Sequence, residues 1–109
     1  MSTYNPHNWA LVKITGTDPH YRVFATWRGG YADGDRWKLN SGITEVEEDE
    51  TYYYFHGYSG SVYMCHKKCY GNLGMYGYGV ISDYCERSQG TMELIEEMPD
   101  VMLMDWIIK

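Results

Sequence analysis

The stretch 51–71, TYYYFHGYSGSVYMCHKKCYG, constrains the fold more than any other part of this chain. Tyr52 to Phe55 is an aromatic run suited to a pleated, half-buried surface. His56-Gly57-Tyr58-Ser59-Gly60 has the composition of a tight reversal, and Ser61 to Met64 resumes an extended pattern. The segment therefore predicts a β-hairpin or a sharply bent strand pair.

The remaining pattern is also mostly β. At 109 residues the chain is expected to form one domain, 1–109, with room for a single core. Residues 1–8 read as an extended arm or turn. Trp9 to Thr15 alternates Trp9 and Leu11 with Ala10, Val12 and Ile14, and predicts a first strand. Gly16 to Pro19 is turn chemistry, and Tyr21 to Trp27 predicts a second strand. Residues 28–35, RGGYADGD, read as a loop. Arg36 to Ile43 predicts a third strand, with a bend at Gly42 that lets it run on toward Glu45. The acidic run 45–50 reads as a solvated turn, and 69–79, with its four glycines, as a loop. Ile81, Tyr84 and Cys85 share helical spacing, so a short helix is expected over 80–89. Thr91 to Glu97 is weakly strand-like, and the apolar run VMLMDWII predicts a last strand over 101–108. Six or so short strands and one short helix make a mainly β, small and partly open barrel the simplest architecture.

Charge is unevenly placed. The net charge is -6, yet residues 45–50 carry five acids and no base, and 83–109 carry seven acids against Arg87 and Lys109. Residues 1–44 and 51–82 are each net positive by two. Local potential, not the total, steers an anionic partner.

Several chemistries fit poorly. Cys65, Cys69 and Cys85 are too few for a disulfide framework and lack the two-residue gap of a zinc knuckle, so reduced thiols and no metal or other cofactor are expected. Cys65 and His66 are adjacent, so on a strand they face opposite ways and cannot pair as nucleophile and base. Residues 28–35 lack the lysine and hydroxyl of a phosphate loop. With no catalytic signature, a non-enzymatic role is the expectation. No apolar run approaches the ~20 residues that span a bilayer, and MSTYNPHNW lacks a basic region followed by an apolar one, so a cytoplasmic location and no membrane partner are expected.

Aromatic and basic residues interleave at Tyr31, Arg36, Trp37, Lys38, Asn40, His56, Tyr58, Lys67, Lys68 and Tyr70. Small barrels bind single-stranded nucleic acid in this way, with rings stacking on bases and cations meeting phosphates. The segments W-x-G-G-Y-x-x-G-D-x-W-x-L-N-S-G-I at Trp27 to Ile43 and YYYFHGYSGSVYMCHK at Tyr52 to Lys67 resemble a group of small proteins of tailed phages infecting marine bacteria. That resemblance implies a strongly bent antiparallel barrel of the Sm/LSm kind, SH3-like in shape, in a bacterial host. It also implies a homo-oligomeric ring, joined strand edge to strand edge, that binds RNA. Lys38 to Gly42 loosely resembles the early Asp-x-x-Met-Asn-like turn of Sm proteins, and His56-Gly57 or Ser59-Gly60 their late Arg-Gly-like turn. The nucleic-acid-binding set expected from all this is Arg36, Lys38, Asn40, His56, Tyr58, Lys67 and Lys68, acting on RNA or single-stranded DNA. VMLMDWII is the edge expected to pair with a neighbouring copy. The alternative is a protein-interaction or virion accessory role through the acidic surface.

Overall fold

A computed structural model describes residues 2–16, 18–28 and 36–104. Eight strands among them form two four-stranded sheets. The strands are β1 (Thr3–Tyr4), β2 (Asn8–Ile14), β3 (His20–Trp27), β4 (Arg36–Leu39), β5 (Ile43–Glu48), β6 (Tyr52–Gly57), β7 (Val62–His66) and β8 (Met92–Ile95). One sheet runs β1-β7-β6-β5 and the other β4-β3-β2-β8, with helix α1 (Gly74–Arg87) between β7 and β8 in the chain.

Alternation explains the layers. Trp9 and Leu11 of β2 with Val23 and Ala25 of β3 face Tyr53 and Phe55 of β6 and Tyr63 and Cys65 of β7, forming a core between the sheets. Ala10, Val12 and Phe24 point the other way, where Leu73 and Ile81 of the helix region cover them. β2 is therefore buried on both faces, which is why ALV reads as a continuous apolar run. Each fully buried Leu, Val or Phe contributes about 1.5–3 kcal/mol. Trp9 is fully buried, and its Nε1 donates to the carbonyl of His66 at 2.7 Å. Tyr70 fills the place beyond the end of β8: its hydroxyl accepts from Leu11 N at 3.0 Å and donates to Ile95 O at 2.5 Å. Burial pushes this phenol up to about 12.

The expected bend at Gly42 is present. Asn40 N donates to Val23 O in one sheet, and two residues later Gly42 O accepts from Tyr58 N in the other. Gly42 has φ +129°, a conformation that strains any L side chain, and a Cβ there would stand a tight 3.3 Å from the His20 ring.

The strands expected over 9–15, 21–27 and 36–43 and the hairpin over 52–64 are found, with the third ending at Leu39. Other expectations change. Residues 45–48 are not a turn but most of edge strand β5, because Val46 packs inward while the carboxylates on either side remain in solvent. The helix starts six residues earlier than its periodicity indicated. Its glycine-rich first half is held by close packing, since a Cβ on Gly77 would stand 2.9 Å from Thr26 Cγ2. Val101–Leu103 is a short 3-10 turn whose Val101 is buried in the intersheet core, not a pairing edge strand. The end of that expected strand, at 105–108, lies outside the described residues, as do Thr17 of the first turn and residues 29–35 of the expected loop. The mainly β fold with one helix stands, but no barrel closes among the described residues: no pairing joins β4 or β8 to an edge of the other sheet.

Candidate nucleic-acid interface

Arg36 and Lys38 lie on β4, the edge strand beside β3. Register places Trp27 opposite Arg36 and Ala25 opposite Lys38. The short β1 pairs in parallel with β7 and brings Tyr4 to the same end of the sandwich. Tyr4 stands edge-on to Trp27 with ring centroids 6.3 Å apart, and 5.0 Å from Tyr63. Lys38 Nζ sits 4.9 Å above the Tyr4 ring, while Trp27 Nε1 donates to Asn5 O at 3.1 Å. A cavity of about 390 Å³ opens between these groups. Its described lining has two cations and no carboxylate. Arg36 and Lys38 are both solvent-exposed. Partly exposed rings beside cations that no described carboxylate pairs with suit a flat, anionic chain.

The other expected residues lie elsewhere. Asn40 is buried, only 3% exposed; its Oδ1 accepts from Val23 N at 2.7 Å, and its backbone N donates to Val23 O at 3.0 Å. It extends the β3–β4 pairing by one rung through its side chain, so its amide serves the bend. His56 on β6 faces Glu47 of β5 at 3.1 Å. Lys67 Nζ meets Glu48 Oε1 at 2.5 Å and lies 4.8 Å from the Tyr53 ring; the hydrogen bond to Glu48 holds its ammonium above the usual lysine range. Lys68 is exposed, and its backbone N donates to His66 Nδ1 at 3.0 Å. Tyr58, at the β6–β7 turn, is 82% exposed. Arg36 and Lys38 thus share one cleft, and Asn40, His56, Tyr58, Lys67 and Lys68 do not line it. Of the other interleaved residues, Trp37 lines the cleft, Tyr70 is structural, and Tyr31 lies outside the described residues.

Sequence reasoning passed over Tyr4 and Trp27. The signal for Tyr4 was a lone aromatic in a polar arm, and for Trp27 a large ring at a strand end, where one face escapes the core.

The thiols show no shared chemistry. Cys65 is buried, and burial pushes its thiol well up; burial also raises Cys85. Cys65 faces the core while His66 lies on the opposite, partly exposed face. Among the described residues no three His, Cys, Asp or Glu side chains gather as a metal centre requires, and no helix is long and apolar enough to cross a membrane.

Compared with known proteins, the chain matches no family model, no curated protein and no solved structure. Fold and site define a two-sheet β protein with one helix and an aromatic, cationic cleft.

Proposed function

We propose that this chain is a non-enzymatic protein that binds RNA or single-stranded DNA, with bases stacking against Tyr4 and Trp27 and phosphates meeting Arg36 and Lys38. The carrying observation is that two exposed cations flank these rings with no carboxylate among the described lining residues. Stacking supplies sequence-tolerant affinity, and the cations supply the salt-dependent part. We propose an Sm-like assembly as the working form. Its support is the bend at Gly42 that carries the chain from one sheet to the other, together with the outer edge of β4 beside the cleft, which no strand among the described residues pairs with. Pairing of that edge with another copy would set successive clefts side by side, and head-to-tail contacts close into rings when the rotation allows. We propose phage nucleic-acid processing in the host cytoplasm as the setting, the one implied by the resemblance of residues 27–43 and 52–67 to marine tailed-phage proteins.

Fluorescence anisotropy of labelled oligo(U), oligo(A) and oligo(dT) at low and moderate salt, with light scattering for size, tests this reading. Saturable binding that weakens with salt, by a closed oligomer, is expected. No binding at high micromolar protein would overturn it.

A second reading rests on β5. Glu45, Glu47 and Glu48 are exposed along an open sheet edge, which suits a basic protein partner. Under that reading a partner stays bound after nuclease treatment and is released by Glu45→Lys with Glu47→Lys.

A further inference from the structure

A cavity of about 640 Å³ lies at the other end of β3 from the cleft. Arg22 and Trp27 are five residues apart on that strand, about 17 Å. The cavity takes in the turn before β3, the bend after β4 and the β6–β7 turn, and its volume is that of a small-ligand site.

Its polar groups are ordered by a chain of hydrogen bonds. Arg22 Nε donates to His20 Nε2 at 2.8 Å, so that ring nitrogen carries a lone pair. The proton of the neutral ring is then on Nδ1, which donates to Asp18 O at 2.6 Å. His20 itself is seated against Gly42, where a Cβ would stand 3.3 Å from its ring. The guanidinium is thus held through Nε, and among the described residues no carboxylate pairs with its two terminal nitrogens. Ser41 Oγ accepts from Ser59 N at 3.0 Å, which leaves its O–H to donate. Ser59 lines the same space, and Tyr58 offers an almost wholly exposed ring. Asp18 is the one carboxylate on the described lining, and it is exposed.

We propose that this pocket binds a nucleotide phosphomonoester, with the phosphate on Arg22, Ser41 and Ser59 and the base against Tyr58. A guanidinium fork and two hydroxyls offer more donors than a carboxylate has oxygens to use, and they match the three terminal oxygens of a phosphate ester. His20 is a positioning residue that aims Arg22. Two sources share this chemistry: a free mononucleotide, and the 5′-phosphorylated end of a strand. The site is separate from the cleft and does not depend on it.

NMR titration of the full chain with uridine monophosphate, against uridine and inorganic phosphate, tests the proposal. Saturable shifts at His20, Arg22, Ser41 and Ser59 are expected, with uridine far weaker. Arg22→Gln weakens binding about tenfold or more, the loss of a charged hydrogen bond. Arg22→Lys recovers little of it, because a point charge lacks the fork. Tyr58→Ala, a change at an exposed side chain, weakens binding by at least about fivefold without touching the core. Saturation by the mononucleotide assigns the free ligand. A preference for 5′-phosphorylated over 5′-hydroxyl oligo(U) that Arg22→Gln abolishes assigns the strand end. The absence of both saturation and such a preference would overturn the proposal, as would binding lost in Arg36→Glu/Lys38→Glu but retained in Arg22→Gln and Tyr58→Ala. That last pattern would leave the cleft reading intact.

Discussion

The start of β4 and the edge along β5 both bring cations near aromatic rings, and they differ in what faces those cations. At the β4 end, Arg36 and Lys38 meet Tyr4 and Trp27 with no described carboxylate on the lining. Along β5, Lys67 is paired with Glu48, so its positive charge is cancelled where it arises, and His56 faces Glu47 at 3.1 Å. Cation content alone is therefore a poor guide to an anion site. The register of the β5–β6–β7 meander sets the difference: Glu47 stands opposite Tyr54, two residue pairs from His56, and Glu48 is brought to Lys67 across 19 positions of sequence.

Reversing the cleft is the strongest way to break this contrast. Arg36→Glu with Lys38→Glu is expected to lower oligonucleotide affinity on the order of a hundredfold at low salt, and to make the slope of log affinity on log salt shallower by about 1.4. Anisotropy over a salt series checks it, and an unchanged slope would move the interface elsewhere.

Asn40 lies between the two regions and sharpens the contrast in another way. Asn40→Ala removes the acceptor for Val23 N and leaves a buried donor unpaired, an expected loss of about 1–3 kcal/mol in urea unfolding. Binding by the folded variant is expected to match the parent. A selective loss of binding at unchanged stability would restore Asn40 as a contact residue.

Smaller effects follow on the β5 side. Glu47→Gln with Glu48→Gln frees the Lys67 ammonium and removes two carboxylates, and is expected to raise affinity about threefold by making the local potential less negative. Lys67→Gln in the parent is expected to leave binding and its salt slope unchanged, because Glu48 already occupies that ammonium. A large loss on Lys67→Gln would refute the cancellation argument.

The smallest effect is a pH dependence in the β5–β6 turn. Asp49 accepts from the Tyr54 hydroxyl at 2.5 Å and from the backbone N of Tyr52 and Thr51, and these bonds hold its carboxyl below the usual aspartate range. A carboxyl whose folded pKa is depressed contributes stability above its unfolded pKa and loses it as pH falls through the folded one. The stabilising share is thus full at neutral pH and lost in acid. Thermal unfolding of the parent and of Asp49→Asn is expected to differ at neutral pH and to converge as the pH drops below the aspartate range.

Much of the fold was legible because strand alternation is local. Trp9 to Ile14, Tyr21 to Trp27 and the Tyr52–His66 hairpin each carry their own two-residue period, and each is found as a strand. β5 was not legible, since after the buried Ile43 it turns only the half-buried Val46 inward among its carboxylates, and such a run looks like a solvated acidic turn. The first half of α1 was hidden for the opposite reason. Glycine disfavours a helix by its own propensity, and only contact with Thr26 makes Gly77 the residue that fits there. In the cleft, Arg36 and Lys38 were legible as basic residues beside Trp37, whereas Tyr4 comes from a two-residue parallel strand with no local signature.

The sequence by itself determined a mainly β chain, a bend at Gly42, a hairpin at its centre and the segregation of acid into 45–50 and 83–109, because each depends on neighbours a few residues apart. Only the tertiary structure decided that Asn40 is buried, that Lys67 is paired with Glu48 while no described carboxylate pairs with Arg36 or Lys38, and that Arg22 hydrogen-bonds His20 beside a cavity. Those outcomes depend on strand register and sheet packing, which join residues that local pattern cannot relate.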